Sequence, residues 1–293
     1  MLAVWWSFTG FTLLYVFCRS FSILPTGLLL CFYIVYIMKI LITNDDGVTS
    51  NGILAVREAV SEFGECTIVA PLTQQSGVGH AITLMKPLRA VPTVLEEDIM
   101  AYGVTGTPTD SLIVGALEIM DEKPDLLISG INVGENLSCT ITTSGTLGAT
   151  FEAASLGIPS IAVSLQIDRE DLKFRNGVQD IDYSFAIKVL HNVVEKFVER
   201  GMPDGVSILN LNIPYNPKSG EVIQSYLANR MYTTGVEKRI DPFGHPYYWI
   251  VGDLVDDEEH GSDVHTLRVL NHPTITALST NLGVDVDLGD WLD

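Results

Sequence analysis

The chain has 293 residues, and its net charge of −19 comes from 17 basic and 36 acidic side chains. An acidic surface repels phosphate backbones, so this composition argues against a nucleic-acid-binding protein. A small substrate that carries phosphate would need a cation at its site. The length suits one large α/β domain, or one domain with an appended subdomain. The four cysteines have neither metal-ligand nor disulfide-framework spacing.

The first 37 residues differ in composition from the rest of the chain, since Arg19 is their only charged side chain. They are of near-spanning length for a membrane, but Met38 leads directly into a predicted strand without a linker. They also lack the basic region and the cleavage site of a secretory signal. We interpret residues 1–37 as an overextended gene start, with a membrane segment as the alternative. We therefore expect a cytoplasmic protein formed by residues 38–293.

The first predicted element is a strand over residues 39–43, followed by the turn Asn-Asp-Asp-Gly at 44–47 and a helix over 53–63. A buried strand followed by a crossover helix is the first unit of a doubly wound α/β sheet. Ligands of such sheets bind at the carboxyl ends of the strands. Because adjacent buried carboxylates need a cation or a proton, we expect Asp45 and Asp46 to form half of a hard-metal site. The alternative is that they cap the helix and form an Asx turn.

Two further strand ends supply candidate oxygen ligands. A strand over residues 66–70 precedes a loop that contains Ser76, and a strand over 124–129 precedes Asn132. Hydroxyl and amide oxygens are hard ligands that suit Mg²⁺ or Mn²⁺. The alternative for Asn132 is a turn residue that tolerates left-handed geometry. His80, in the loop after the second strand, is a minor catalytic candidate that a local hydrogen bond would also explain.

A helix start further along the chain is suited to phosphate. Ser144, Gly145 and Thr146 precede or open a helix predicted over residues 147–156. Hydroxyl donors, backbone N–H groups and the helix dipole at such a terminus favour an anion. N-capping by Ser144 would explain one hydroxyl, but not the four hydroxyls among residues 142–146. We therefore expect a phosphate at this helix start.

The remaining elements predict structure rather than chemistry. Residues 107–110 form a capping-box pattern with proline in the first turn of a helix through Met120. Further strands are predicted over residues 160–165, 207–213 and 274–278. An amphipathic helix is predicted over residues 182–200. Residues 229–251 predict an extended hairpin whose aromatic side chains need a partner surface. The alternative is that these aromatics pack locally or stack on a substrate base.

Hard oxygen ligands at three strand ends, together with a phosphate-binding helix start, favour one kind of chemistry. Metal-assisted hydrolysis of a phosphate ester needs a cation that neutralises the phosphoryl oxygens and lowers the pKa of a water molecule. The chain has no His and Cys set with zinc-ligand spacing, so zinc is not expected. These observations predict a phosphatase.

Five short motifs then occur in a fixed order along the chain. They are Asn44-Asp45-Asp46-Gly47, Ala70-Pro71 leading to Ser76-Gly77, Gly106-Thr107-Pro108-x-Asp110, Ser129-Gly130-Ile131-Asn132-x-Gly134-x-Asn136 and Ser144-Gly145-Thr146. Together they closely resemble the survival protein SurE family of 5′-nucleotidases, from residue 38 to the C-terminus and most densely between 39 and 165. Gln75 is a departure, because many members of the family have a basic residue there.

The resemblance implies a Rossmann-like, doubly wound and mostly parallel sheet with helices on both faces. It implies one divalent cation per subunit, Mg²⁺ or Mn²⁺, held by Asp45, Asp46, Ser76 and Asn132. It implies nucleoside 5′-monophosphates as substrates, with 3′-monophosphates and short polyphosphate as further ones. It also implies that residues 229–260 exchange between subunits of a homodimer or homotetramer, with no membrane partner if translation starts at Met38.

We expect Ser144, Gly145 and Thr146 to bind the phosphate with help from Asn44. A water activated by the cation would attack in line, with Asp45 or Asp46 as the catalytic base. Two alternatives stay open at this point. In one, an aspartate is the nucleophile and an aspartyl-phosphate forms. In the other, the chain is a non-catalytic nucleotide-binding or membrane-tethered regulator.

Overall fold

The chain folds around a nine-stranded sheet with helices on both faces. The structure, a computed structural model, describes residues 15–23, 29–96, 99–168, 181–255, 259–283, 286–287 and 289–292. The strands are β1 (Tyr15–Ile23), β2 (Leu29–Tyr36), β3 (Met38–Thr43), β4 (Gly64–Pro71), β5 (Ala90–Glu96), β6 (Ile99–Val104), β7 (Leu126–Val133), β8 (Ser160–Leu165), β9 (Ile208–Ile213), β10 (Ile223–Gln224), β11 (Gly235–Ile240), β12 (Pro246–Val251) and β13 (Thr274–Leu278). The α-helices are α1 (Asn51–Val60), α2 (Pro108–Val114), α3 (Gly145–Ser155), α4 (Ser184–Arg200) and α5 (Gly289–Leu292).

The order of strands confirms the predicted doubly wound topology. The sheet runs β10-β13-β9-β8-β7-β3-β4-β6-β5. The six strands from β9 to β6 are parallel, whereas β13 and β5 pair antiparallel with β9 and β6. From β3 the chain first adds β4 and β6 on one side and then crosses to β7 on the other side. The strand order therefore reverses at β3 and β7, where ligands of such sheets bind.

The alternating side chains of β3 explain why both faces of the sheet are covered. Ile40 and Ile42 point to the face on which α1 and α4 pack, and Leu41 points to the face of α2 and α3. All three side chains are fully buried. Successive strand residues face opposite sides, so a continuous apolar run is needed where helices cover both faces. This packing fixes β3 and the turn that follows it at the centre of the domain.

Most predicted elements are confirmed within a few residues, and the strand that contains Asn132 ends later than predicted. The capping box of α2 is present, with Thr107 as N-cap and Asp110 as its partner. The strand predicted over 124–129 continues to Val133, because Asn132 and Val133 still pair with β8 after an irregularity in the register. Asn132 therefore lies near the end of a strand, where its direction is fixed by sheet pairing.

Two hairpins lie outside the large sheet. Strands β11 and β12 form the antiparallel hairpin predicted for residues 229–251. In the longer segment 229–260, residues 256–258 are not among the described residues. Strands β1 and β2 form a separate antiparallel pair. The rest of the predicted hydrophobic extension, residues 1–14 and 24–28, lies outside the described residues. None of the helices in the described part of the chain is long and apolar enough to cross a membrane.

Candidate active site

Asp46 receives hydrogen bonds from two different strand ends. The backbone N–H of Val133, at the end of β7, donates to Asp46 Oδ2 at 3.0 Å. The side-chain amide of Gln74, in the loop after β4, donates to Asp46 Oδ1 at 3.2 Å. Both oxygens of this carboxylate are therefore oriented by elements that flank β3 on either side. The carboxyl ends of β3, β4 and β7 thus meet at Asp46, as the predicted topology requires.

Asp45 joins the same strand end to the start of α3. The hydroxyl of Thr146 donates to Asp45 Oδ1 at 2.8 Å, and the backbone N–H of Gln75 donates to the carbonyl of Asp45 at 2.7 Å. A Cβ at Gly145 would lie 3.0 Å from Asp45 Cβ and 3.2 Å from Asp45 Oδ2. Only a residue without a side chain therefore lets the helix approach the carboxylate this closely.

The electrostatics of the two carboxylates fit a cation. Asp45 and Asp46 are only 6% and 7% exposed. Burial raises the pKa of Asp45 to about 6. Burial and, second, the charge of Asp45 raise the pKa of Asp46 to about 7. Among the described residues, no Lys, Arg or His forms an ion pair with either group. A divalent cation would supply the missing positive charge, and oxygen donors suit a hard one.

The turn between the aspartates and α1 is built by Asn44. Its side-chain amide donates to Gly47 O at 3.1 Å and to Ser50 Oγ at 2.6 Å, and its Oδ1 accepts from Gly47 N at 3.1 Å. Ser50 is the N-cap residue of α1. The alternative in which Asp45 and Asp46 cap this helix therefore does not hold. The side chain of Asn44 is engaged within the turn, so its contact with phosphate stays a prediction.

The other two predicted ligands, Asn132 and Ser76, are adjacent in sequence to residues that hydrogen-bond to the aspartates. Asn132 precedes Val133, and its side-chain nitrogen donates to the carbonyl of Gly134 at 2.6 Å. This bond orients the amide and leaves its oxygen as the atom suited to a cation. Ser76 follows Gln75 and is exposed. The described residues contain no cluster of three or more His, Cys, Asp or Glu side chains suited to a metal. Any cation at this site would therefore depend on neutral oxygens beside the two carboxylates.

The predicted phosphate-binding start of α3 is a capped helix terminus. The hydroxyl of Ser144 accepts from Leu147 N at 3.3 Å, and the side chain of Thr146 is fully buried. The hydroxyls of Thr142 and Thr143 donate to carbonyl groups of the preceding 3₁₀ turn, Ser138–Thr143. Two of the four neighbouring hydroxyls thus stabilise the turn. Ser144, Gly145 and Thr146 remain the predicted phosphate contacts.

Comparison with known proteins decides the family. The model of the family described as survival protein SurE matches residues 40–236. The chain belongs to the SurE family. A protein of Methanosphaera stadtmanae named 5′-nucleotidase SurE is 64% identical over 256 residues, which are 87% of this chain and 100% of the relative. A protein of the same name from Methanobrevibacter smithii is 53% identical over 257 residues, again 87% of this chain and 100% of the relative.

A solved SurE structure supports the same assignment at the level of the fold. The crystal structure of the SurE protein from Aquifex aeolicus has 35% sequence identity and a TM-score of 0.69. The match covers 86% of this chain and 97% of the Aquifex chain. The α/β sheet with its C-terminal hairpin is therefore a SurE fold.

Sequence reasoning missed several polar contacts of this SurE site. Gln74 donates a hydrogen bond to Asp46 from a loop in which the sequence predicts Ser76 as a ligand and His80 as a minor catalytic candidate. Asn136 belongs to one of the five motifs but has no role assigned from the sequence, and its side chain hydrogen-bonds to both Ser164 and Thr146. The sequence gives one indication that Asn136 lies at the site, because it follows the strand that contains Asn132. His80, the minor catalytic candidate, hydrogen-bonds to Glu152 of α3 at 2.8 Å, a partner 72 residues away in sequence rather than a local one.

Proposed function

We propose that this SurE-family chain is a 5′-nucleotidase, a metal-dependent hydrolase that removes phosphate from nucleoside 5′-monophosphates. One observation carries the proposal. Two adjacent carboxylates are buried at the end of β3, and one of them, Asp45, accepts a hydrogen bond from a helix start that suits phosphate. The relatives named 5′-nucleotidase SurE, at up to 64% identity over most of the chain, support the same reaction. Nucleoside 3′-monophosphates and short polyphosphate are proposed as further substrates.

Asp45, Asp46, Ser76 and Asn132 would hold one divalent cation per subunit, Mg²⁺ or Mn²⁺. The donor set consists of oxygens only, and no described Lys, Arg or His forms an ion pair with either buried carboxylate; both observations support this ligand set. A cation bound there would neutralise phosphoryl oxygens and lower the pKa of the attacking water. The hydrogen bonds from Val133 and Gln74 hold Asp46 in one orientation before any ligand binds.

The protein's own residues orient the phosphate and accept the proton. The backbone N–H groups of Gly145 and Thr146 lie in the first turn of α3, an eleven-residue helix whose dipole favours an anion. Ser144 adds a hydroxyl at the same terminus, and Asn44 is the proposed further contact. The attacking water is placed in line with the leaving oxygen, and Asp45 or Asp46 takes its proton.

A second copy of the chain is the proposed partner of the arm, which is the segment of residues 229–260. Val236 and Ile250 are opposite each other on one face of its hairpin and are 63% and 84% exposed. Tyr248 and Ile240 extend this mainly apolar face, on which Lys238 lies opposite Tyr248. Exposed apolar surface of this kind marks an interaction site. A homodimer or homotetramer in which arms exchange would bury it.

We propose that residues 38–293 form the cytoplasmic enzyme domain and that residues 1–37 take no part in it. The alignment with the Methanosphaera relative supports this division, because its 256 residues cover that whole protein and equal in number the residues from Met38 to Asp293. A chain that starts at Met38 is expected to hydrolyse nucleotides as fast as the full chain. Loss of activity in the shorter chain would contradict the division.

Release of inorganic phosphate from a panel of nucleoside monophosphates tests the function. Phosphate release is expected with Mg²⁺ or Mn²⁺ and is expected to stop in EDTA. Denaturing the enzyme during turnover would reveal a trapped aspartyl-phosphate, and none is expected if water attacks directly. A folded protein that binds nucleotides but releases no phosphate with any metal would establish the regulator instead.

A further inference from the structure

Two side-chain amides of β9 hold the backbone of Asn136. Asn212 Oδ1 accepts from Asn136 N at 2.8 Å, and Asn212 Nδ2 donates to Asn136 O at 3.0 Å. Asn210 Nδ2 donates to the same carbonyl at 2.9 Å. Asn212 thus forms with Asn136 the pair of bonds that a neighbouring strand would form. The backbone of Asn136 is fixed by partners that lie more than seventy residues away in sequence.

The side chain of Asn136 continues this network to the carboxylates. Its Nδ2 donates to Ser164 Oγ at 2.9 Å and to Thr146 Oγ1 at 3.5 Å. The hydroxyl of Thr146 donates in turn to Asp45 at 2.8 Å. One chain of hydrogen bonds therefore runs from Asn212, near the end of β9, through Asn136 and Thr146 to Asp45, a predicted metal ligand.

The register of the sheet explains how β9 reaches the site. Ser164 of β8 is paired with Asn132 of β7 on one side and with Asn212 of β9 on the other. Asn210 and Asn212 are fully buried. Burying two amides is unfavourable unless they form hydrogen bonds, and strands at such positions are usually apolar. The bonds to Asn136 use both side-chain polar atoms of Asn212, whereas Asn210 uses only its nitrogen and its Oδ1 has no partner among the described residues.

We propose that Asn212 is a positioning residue of the hydrolytic site, acting through Asn136 on Thr146 and Asp45. Its side chain binds the backbone of Asn136 and neither of the aspartates. Its two bonds set the position of Asn136, whose side chain then orients the Thr146 hydroxyl toward the carboxylate. The inference rests on the proposed hydrolysis for its kinetic part, and on the proposed ligand set together with the hydrogen-bond geometry for its effect on metal binding.

The first experiment replaces Asn212 by leucine, which is close in size and removes both bonds. Loss of partners that orient metal ligands typically costs about 10- to 100-fold in affinity or activity. We expect a loss of that size in kcat and a weaker affinity for Mn²⁺ in calorimetry. The matched control is Thr274→Val, because Thr274 is buried opposite Asn212 on β13 and donates to Ser225 at 2.7 Å. The control is expected to lower stability without changing either value.

The second experiment separates positioning from simple loss of stability by a double-mutant cycle. In an Asn136→Ala chain the link to Thr146 is already absent, so Asn212→Leu is expected to lower kcat by no more than about twofold further. Losses that multiply, or an Asn212→Leu chain with unchanged kcat and Mn²⁺ affinity, would overturn the proposal. If Asn212→Leu does not fold, Asn212→Ser takes its place in the same cycle, with the same criteria.

The two readouts distinguish failure of the inference from failure of the proposed function. A wild-type chain that releases no phosphate from nucleotides would contradict the 5′-nucleotidase assignment. The Mn²⁺ affinities of the wild-type, Asn212→Leu and Thr274→Val chains would still decide whether Asn212 acts on the carboxylates. Equal affinities in all three chains would overturn the inference in either case.

Discussion

Thr146 and Asp45 are separated by 101 residues in sequence, and the threonine hydroxyl donates to the aspartate carboxylate at 2.8 Å. This bond connects the acidic turn after β3 to the helix start that is proposed to bind phosphate. A cation and a phosphate at these two places would be adjacent, as metal-assisted phosphoryl transfer requires. Both residues are buried, so the bond is shielded from water and from competing partners.

Removing the Thr146 hydroxyl should impair catalysis more than folding. Thr146→Val keeps the shape of the side chain but leaves Asp45 without this donor. Hydrogen bonds to charged groups contribute about 1.5–3 kcal/mol, so we expect kcat/KM to fall about 10- to 100-fold. Thr146→Ser retains the hydroxyl and is expected to stay within about tenfold of the wild type. Equal losses in the two variants would show that the hydroxyl is not the important group.

Gly145 should tolerate no side chain. An added Cβ would lie 3.0 Å from Asp45 Cβ and 3.2 Å from Asp45 Oδ2, so Gly145→Ala must displace the helix or the carboxylate by a few tenths of an ångström. Because a misplacement of about 1 Å can cost on the order of 10²-fold in rate, we expect about a tenfold loss of kcat. Gly220→Ala is the control, since nothing lies within 4 Å of its added Cβ. A fully active Gly145→Ala chain would contradict the close approach.

A charge introduced into the arm should weaken the association of subunits. Ile250→Glu places a charge on the apolar face that Ile250 shares with Val236, and it should shift the oligomer toward monomer in light scattering coupled to size-exclusion chromatography. Leu282→Glu is the control, because Leu282 is 80% exposed and lies outside the arm. An unchanged oligomer in the Ile250→Glu chain, or a monomeric wild type, would contradict the arm as the interface.

Cation binding should raise the melting temperature through the two carboxylates. At a free Mn²⁺ concentration about 100-fold above Kd, stability increases by about 2.7 kcal/mol, which corresponds to a rise of roughly 5–10 °C for a domain of this size. Asp46→Asn relieves the repulsion with Asp45, so it should melt higher than the wild type in EDTA and gain little from Mn²⁺. A wild type with equal melting temperatures in Mn²⁺ and EDTA would argue against the site.

The main features of the fold could be predicted from the sequence because they depend on local pattern. The strands at residues 160–165 and 274–278 and the capping box at Thr107 are present as predicted. Asp45 and Asp46 are found at the predicted strand end. Their roles as ligands, and those of Ser76 and Asn132, stay predictions.

The contacts that the sequence did not predict depend on tertiary packing. Asn210 and Asn212 belong to a segment whose pattern indicates only a strand, and their partner Asn136 is more than seventy residues away. Gln74 is one of several polar loop residues, and its choice of Asp46 follows from the path of the loop. Asn44 is different, because its three side-chain bonds are local contacts with Gly47 and Ser50, and its contact with phosphate stays a prediction.

The central claim is that Asp45 and Asp46 support metal-dependent hydrolysis of nucleotides. The most direct test measures phosphate release from nucleoside 5′-monophosphates by the wild type and by Asp46→Asn, with Mn²⁺, with Mg²⁺ and with EDTA, and with the exposed Asp204→Asn as control. We expect the wild type and the Asp204→Asn control to release phosphate with either metal and to stop in EDTA. The rate of phosphate release by Asp46→Asn is expected to be lower by at least about 100-fold. Release that persists in EDTA, or an Asp46→Asn chain as active as the control, would contradict the claim.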